Sequence, residues 1–348
     1  MFDQSLNERE LSVFEAIVRN YILNGTPTGS RFLSKQKNIN VSPATVRNVM
    51  GDLEEMGLIT HPHTSAGRIP TDKGYRIYVD RLMKLIELPR EIKKQIKNFI
   101  VQSNPSDMHM LLEATSKALS KATRQLGVVL APKLHEGVFR HVHIHKIGER
   151  RYLMNLAIDS GFIKTMVLEF EADISSEKLE LACTIMNNRF NGMELREMCS
   201  NNRELYSELQ TTDPDVIRLF VPSLRKMIKQ RRNEEIFAEG ETNILLQPEF
   251  FDRKQMSTII EILEEKKLLV HLFGAMNKEP SDSKKRVAIS IGGENEDGKL
   301  LSFSVVKTSY HIGNMEGTLG IIGPKRMPYG YLVSAVDYTA NVLENLYK

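Results

Sequence analysis

Apolar residues recur at helical spacing from the start of the chain. Leu11, Phe14, Ile17, Val18, Tyr21 and Ile22 share one face, the pattern of a helix with one buried stripe. Asn7 followed by Glu10 predicts a capping box at its start, and Asn24-Gly25 predicts its end. Thr26 to Gly29 reads as a loop. Ser30 is placed to cap a short helix, about Arg31 to Lys37, with Phe32 and Leu33 inward, and Asn38 to Val41 reads as a tight turn. Ser42-Pro43 opens a third helix, since Ser suits the N-cap and Pro the first turn. Val46, Val49 or Met50, Leu53 and Met56 form its stripe, and Gly57 sits where a terminating glycine belongs. Two short extended pieces, Leu58 to Thr60 and Ile69-Pro70, flank a loop from His61 to Arg68. Thr71-Asp72 then starts a helix running to about Ile86. Short helix, tight turn and second helix make a helix-turn-helix, and the flanked loop has the form of a wing.

Leu88-Pro89 marks a boundary. Arg90 to Val101 is a basic amphipathic stretch, and Asn104-Pro105-Ser106 is placed to cap a further helix. From Gly127 the period changes to two. Val138 to Ile147, Tyr152 to Ile158 and Ile163 to Phe170 read as strands, as do Val287 to Gly292, Leu300 to Thr308 and Thr318 to Gly323. Between them lies a helical middle. One stripe there ends at Phe190, and Asp213-Pro214 starts a longer helix with Val216, Ile217, Phe220, Val221, Leu224, Met227 and Ile228. Either one sheet is interrupted by a helical insertion, or two small sheets form. The wide apolar face of the longer helix fits core packing or a second protomer equally well. A last amphipathic helix runs from about Leu332 to Leu346.

At 348 residues the chain has room for two to three domains of about 150. Its 41% hydrophobic and 26% charged residues exclude disorder, collagen and a disulfide mini-scaffold as descriptions. No apolar run approaches the ~20 residues of a membrane span. Met1-Phe2-Asp3-Gln4 lacks the features of a secretory signal. Cys183 and Cys199 make no paired framework, so a cytoplasmic protein is expected.

The formal net charge is only +3. The 36 residues from Ala16 to Gly51, however, contain no acid and carry Arg19, Arg31, Lys35, Lys37 and Arg47. That window is +5, and the remainder is −2, with 42 basic against 44 acidic residues. A compact basic patch on a neutral protein is a nucleic-acid footprint. Thr45, Arg47 and Asn48 lie off the apolar stripe of the third helix. Arg grips guanine, Asn pairs with adenine, and the Ala44 or Thr45 methyl meets thymine. The candidate DNA contacts are therefore Ser30, Arg31, Ser42, Ala44, Thr45, Arg47 and Asn48, with His63, Thr64, Ser65 and Arg68 in the wing. Gly67 is expected to let the wing tip turn, and Arg68 to enter a minor groove or meet phosphate.

Other chemistry is scarce. There is no GxxxxGK[ST] loop, HExxH or GxSxG motif. His141, His143 and His145 alternate along one strand face, which fits solvent-facing residues better than a metal site. Gly292-Gly293-Glu294 reads as a turn. No catalytic, cofactor-binding or metal residues are assigned.

Two segments carry a specific resemblance. Val41 to Asn48, Leu53 to Ile59 and Pro62 to Thr71, together with Gly320-Ile321-Ile322-Gly323-Pro324-Lys325-Arg326-Met327-Pro328-Tyr329, resemble the HrcA family of heat-inducible transcription repressors. The resemblance implies an α+β multidomain chain. Residues 1–88 would form a winged helix-turn-helix. Residues 89–173 and 239–348 would form a GAF-like domain, interrupted by a mainly helical dimerisation insertion at 174–238. It implies no enzyme activity but negative regulation of chaperone genes by a homodimer on an inverted-repeat operator in double-stranded DNA, with activity dependent on the GroEL chaperonin. Phe190, Phe220, Leu224, Met227 and Ile228 are then the candidate dimer contacts. An enzyme or ligand sensor in the C-terminal two-thirds, and an RNA-binding winged helix, are the alternatives.

Overall fold

Local signals shape the first helices. Helix α1 spans Glu8–Asn24. Asn7 Oδ1 accepts from the Arg9 and Glu10 amides at 3.0 and 2.9 Å, and Glu10 Oε2 accepts from the Asn7 amide at 2.9 Å, completing the capping box. Gly25, at φ 66°, ends the helix in the left-handed region. Helix α2, Ser30–Leu33, is shorter than the sequence predicts. Ser30 lies inside it and Gly29 flanks it, with the Gly29 carbonyl accepting from both the Phe32 and Leu33 amides. Leu33 alone is buried and Phe32 is half exposed, so one inward side chain anchors a single turn. Helix α3 spans Pro43–Glu55, with Ser42 Oγ accepting from the Thr45 amide at 3.1 Å. Its stripe Val46, Val49, Met50 and Leu53 is buried.

The structure, a computed structural model, describes residues 6–36, 39, 41–63, 66–103, 107–171, 173–199, 214–229, 235–274, 286–295 and 297–347. Lys37, Asn38 and Asn40 of the expected turn, the Asn104-Pro105-Ser106 cap, Asp213 and the side chains of Val216 and Ile217 lie outside the described residues.

Strands β1 (Ile59–Thr60) and β2 (Ile69–Pro70) pair antiparallel. Helix α4, Asp72–Ile77, continues as a π turn through Leu82 and stops short of Ile86. Helices α5 (Arg90–Val101) and α6 (Met108–Thr123) pack on each other. Strand β3, Leu126–Leu130, is wholly buried.

The two β-rich stretches do not share a sheet. Strands β4 (Phe139–Gly148), β5 (Arg151–Ile158) and β6 (Ile163–Glu169) pair only with one another. Helices α7 (Ser176–Phe190), α8 (Leu195–Cys199) and α9 (Pro214–Lys229) follow. After them come β7 (Ile236–Glu239), α10 (Glu241–Leu245), α11 (Arg253–Glu264) and α12 (Lys266–Gly274). The chain ends with β8 (Ala288–Ile291), β9 (Phe303–Ile312), β10 (Met315–Pro324) and α13 (Tyr329–Asn345). The second sheet is antiparallel, in the order β7-β3-β10-β9-β8. Of the two arrangements the sequence allows, two sheets form. Strands 139–169 therefore stand apart from the sheet they were expected to join.

The five-stranded sheet is buried on both faces. Val129, Val306, Leu319 and Ile321 pack with the core that includes Leu119 of α6 and Leu332 and Val336 of α13. Leu126, Val128, Val305 and Ile322 pack with Ile259 and Ile262 of α11 and Leu269 of α12. Two-sided burial explains why Val128 to Leu130, Val305-Val306 and Ile321-Ile322 place apolar residues at successive positions and not only at alternate ones.

The three-stranded sheet is covered on one face only. Val142, Ile144, Tyr152, Met154, Leu156 and Ile158 point inward, while His141, His143 and His145 point out. The outward rings of His143 and His145 stack at 4.0 Å between centroids, face to face rather than around a common point.

The five residues expected at a dimer face lie elsewhere. Phe190, Phe220, Leu224, Met227 and Ile228 are each at most 5% exposed within the protomer. Phe190 meets Phe139 edge-on at 5.9 Å, and Phe220 meets Phe170 at 5.2 Å. The inner face of β4–β6 needs an apolar cover, and α7 and α9 supply it from the same chain. A helix stripe has the same sequence signal whether its partner is inside the protomer or outside. Phe220→Ala should accordingly destabilise the fold by about 3–5 kcal/mol, measured as a lowered midpoint in urea unfolding.

Candidate nucleic-acid interface

Helix α3 divides cleanly along its length. Its buried stripe rests on α1 and α2, and on the opposite side Ser42, Ala44, Arg47 and Asn48 are exposed. Thr45 is half-buried, and its hydroxyl lies 2.9 Å from Ser42 Oγ. Ser30, half-buried, and Arg31, exposed, stand in the turn of α2 that packs on α3. Neither Arg31 nor Arg47 has an ion-pair partner among the described residues. The first-turn amides of α3 carry the positive end of the helix dipole. The acids of α3, Asp52, Glu54 and Glu55, all sit at its far end. Cations, small side chains and an acid-free helix N-terminus thus share one surface, which is what phosphate and base edges require.

The loop between β1 and β2 is held from two sides. The Thr28 amide donates to the Arg68 carbonyl and the Arg68 amide to the Thr28 carbonyl, both at 2.9 Å. This bridge ties the loop to the segment before α2. Gly67 serves the bridge and not a tip turn. Its φ is not positive, and a Cβ there would lie 2.6 Å from the Thr28 carbonyl carbon and oxygen. His63 is exposed, with its carbonyl accepting from the Ala66 amide at 2.9 Å. Thr64 and Ser65 lie outside the described residues.

Arg68 does not project as the sequence leads one to expect. Its side chain folds back, with Nη2 2.7 Å from Glu54 Oε2. Its Nε is buried without a hydrogen-bond partner. The other oxygen of Glu54 lies 2.5 Å from His61 Nδ1. One carboxylate at the end of α3 therefore holds both ends of the loop. Burial pushes the pKa of Glu54 up. The His61 hydrogen bond and the Arg68 charge outweigh it, leaving the group below its ordinary 4.5. The sequence reading missed Glu54 because its partners lie seven and fourteen residues downstream, beyond any local spacing rule.

No group of three His, Cys, Asp or Glu among the described residues is placed to hold a metal ion. No helix among them is long and apolar enough to cross a membrane.

Comparison with known proteins gives a consistent picture. Residues 109–333 match the family model of the HrcA protein C terminal domain. A heat-inducible transcription repressor HrcA of Chlorobium phaeobacteroides (strain BS1) is 34% identical over 350 aligned residues, covering 99% of both chains. One of Geobacter sulfurreducens is 36% identical over 346 residues, covering 98% of both. A crystal structure described as a hypothetical protein at 2.2 Å resolution shares the fold. Its TM-score is 0.63 at 22% identity, over 99% of each chain.

Glu54→Gln removes the charge that grips Arg68 and His61. Hydrogen exchange at the Thr28 and Arg68 amides should quicken in the variant. In the wild type the same loosening should appear only as pH falls below 4.5, through the depressed pKa of Glu54. The Gln variant should lack that pH step.

Proposed function

Since the chain belongs to the HrcA family of heat-inducible transcription repressors, a family of regulators and not of enzymes, we propose that it represses chaperone genes by binding an inverted-repeat operator in double-stranded DNA. Residues 1–88 act as a winged helix-turn-helix. Helix α3 enters the major groove, with Ser42, Ala44, Thr45, Arg47 and Asn48 toward the bases. Ser30 and Arg31 lie against the backbone, and the wing around His63, Thr64 and Ser65 reaches the neighbouring groove. The exposed, acid-free N-terminal half of α3 is the observation that carries this reading. Arg68 keeps the wing in place through Glu54, and releases to a phosphate only if Glu54 yields it.

The five-stranded sheet with α5, α6 and α13 on one face and α11 and α12 on the other serves as the GAF-like body. The insertion is better drawn around β4–β6 and α7–α9, about 138–229, than at 174–238, because those strands pack with those helices. Two copies joined through that insertion give a cytoplasmic homodimer whose two-fold axis matches the operator. Heat-inducible release is attributed to dependence on the GroEL chaperonin, as the family resemblance implies.

Footprinting of the full-length protein on chaperone promoters tests this. Protection of an inverted repeat, strengthened when chaperonin is added, is the expected result; no protected repeat would sink it. Arg47→Ala should weaken operator binding by about 1–3 kcal/mol and relax preference at one base pair in each half-site. A competition titration against base-substituted operators reads both effects.

A further inference from the structure

The second resemblance segment, Gly320 to Tyr329, and the Gly292-Gly293-Glu294 turn have no part in reading DNA. Both meet on α4. Lys325 Nζ lies 2.5 Å from Asp72 Oδ1, and the Gly293 amide donates to Asp72 Oδ2 at 3.0 Å. Gly292, at φ +51°, leaves the room that Asp72 occupies; a Cβ there would stand 2.1 Å from Asp72 Oδ2. One turn along, Arg76 grips both oxygens of Glu294 at 2.7 and 2.5 Å and donates to the Ile289 carbonyl at 2.7 Å. Arg326 pairs with Glu249 and donates to the Ile22 carbonyl at the end of α1 at 3.0 Å. Between these pairs the Tyr75 ring is buried against Tyr329, with centroids 6.1 Å apart.

The geometry points to Lys325, Arg326 and Glu294 as positioning residues: they clasp the N-terminal module to the C-terminal body and fix the direction in which α3 is presented to DNA. The inference rests on the winged-helix, dimeric-operator reading given above.

The clasp takes hold of α4 and the end of α1. None of the exposed residues of α3 enters it. It therefore does not cover the reading surface; it aims it. Beside these ion pairs the module and the body share one apolar cluster around the Tyr75–Tyr329 pair, and the Tyr75 hydroxyl is left without a hydrogen-bond partner. Aim matters because two modules in a dimer must reach half-sites on one face of the duplex. A fixed direction converts the second engagement into an intramolecular event with a high effective concentration.

The test uses the full chain. Lys325→Ala/Arg326→Ala should be cut several-fold faster by trypsin after Lys84, in the stretch between the module and α5. It should bind an isolated half-site as the wild type does. It should bind the complete operator about tenfold more weakly. Inserting 5 bp between half-sites, about half a helical turn, should weaken the wild type sharply and the variant little. Arg326→Glu should behave like the double variant, whereas Arg326→Lys, which keeps a donor for the Ile22 carbonyl, should stay close to wild-type cleavage and operator binding. Unchanged cleavage, or a half-site loss as large as the operator loss, would overturn the clasp. A wild type indifferent to half-site spacing would count against the dimeric-operator reading, while the cleavage rates would still decide whether the clasp holds the module.

Discussion

A strand that is central in a sheet and buried on both faces has no free choice of side chain at any position. It must be apolar or small where both faces are covered, and its neighbours must satisfy every backbone group. Strand β10 is under that constraint. It pairs with β3 on one side and β9 on the other, and Leu319, Ile321 and Ile322 send side chains to two separate cores. The helices of the body pack against the sheet it centres, α5 by way of α6 and α13. Where β10 ends, at Pro324, Lys325 and Arg326 follow without a spacer and meet α4 and α1. The placement of the N-terminal module thus depends on the register of β10 together with the turn that follows β8.

That module shows a similar economy. Glu54 belongs to the same helix that presents Arg47 and Asn48, and it also grips His61 and Arg68 of the loop. The Thr28 bridge ties the loop back to the residues before α2. Helix, loop and preceding segment are linked by one carboxylate and one pair of backbone hydrogen bonds. The acid-free window from Ala16 to Gly51 ends just before the acids that do this work. The net charge of +3 conceals both the basic face and the anionic pin behind it.

What could be read in the sequence was what neighbouring residues decide. The Asn7–Glu10 capping box, the Ser42-Pro43 start and the limits of β4, β5, β6 and β8 follow from spacings of a few residues, whereas β3 and β7 were not foreseen and β9 and β10 run past their expected limits. The helix from Ser30 was overextended because one buried leucine holds only one turn. Partition of the strands into two sheets was open, because pairing is decided by segments far apart in the chain. The stripe Phe220, Leu224, Met227 and Ile228 was correctly seen as buried, but its partner was not. Arg68 was read as a free cation because Glu54 is its neighbour only in space. Gly292-Gly293 looked like an ordinary turn because Asp72, which fills it, comes from the other end of the chain.

The order of the strands along the chain carries a consequence for synthesis. β3 is made well before its inner partner β10, which pairs Gly127 with Ile321 and Leu130 with Thr318. Until then Leu126, Val128, Val129 and Leu130 form an apolar strand that lacks its central neighbour. Such late, distant pairing slows folding and leaves hydrophobic edges open to aggregation. Until β10 is made the body therefore keeps an apolar edge open, and the module in front of it lacks the Lys325 and Arg326 contacts that aim it.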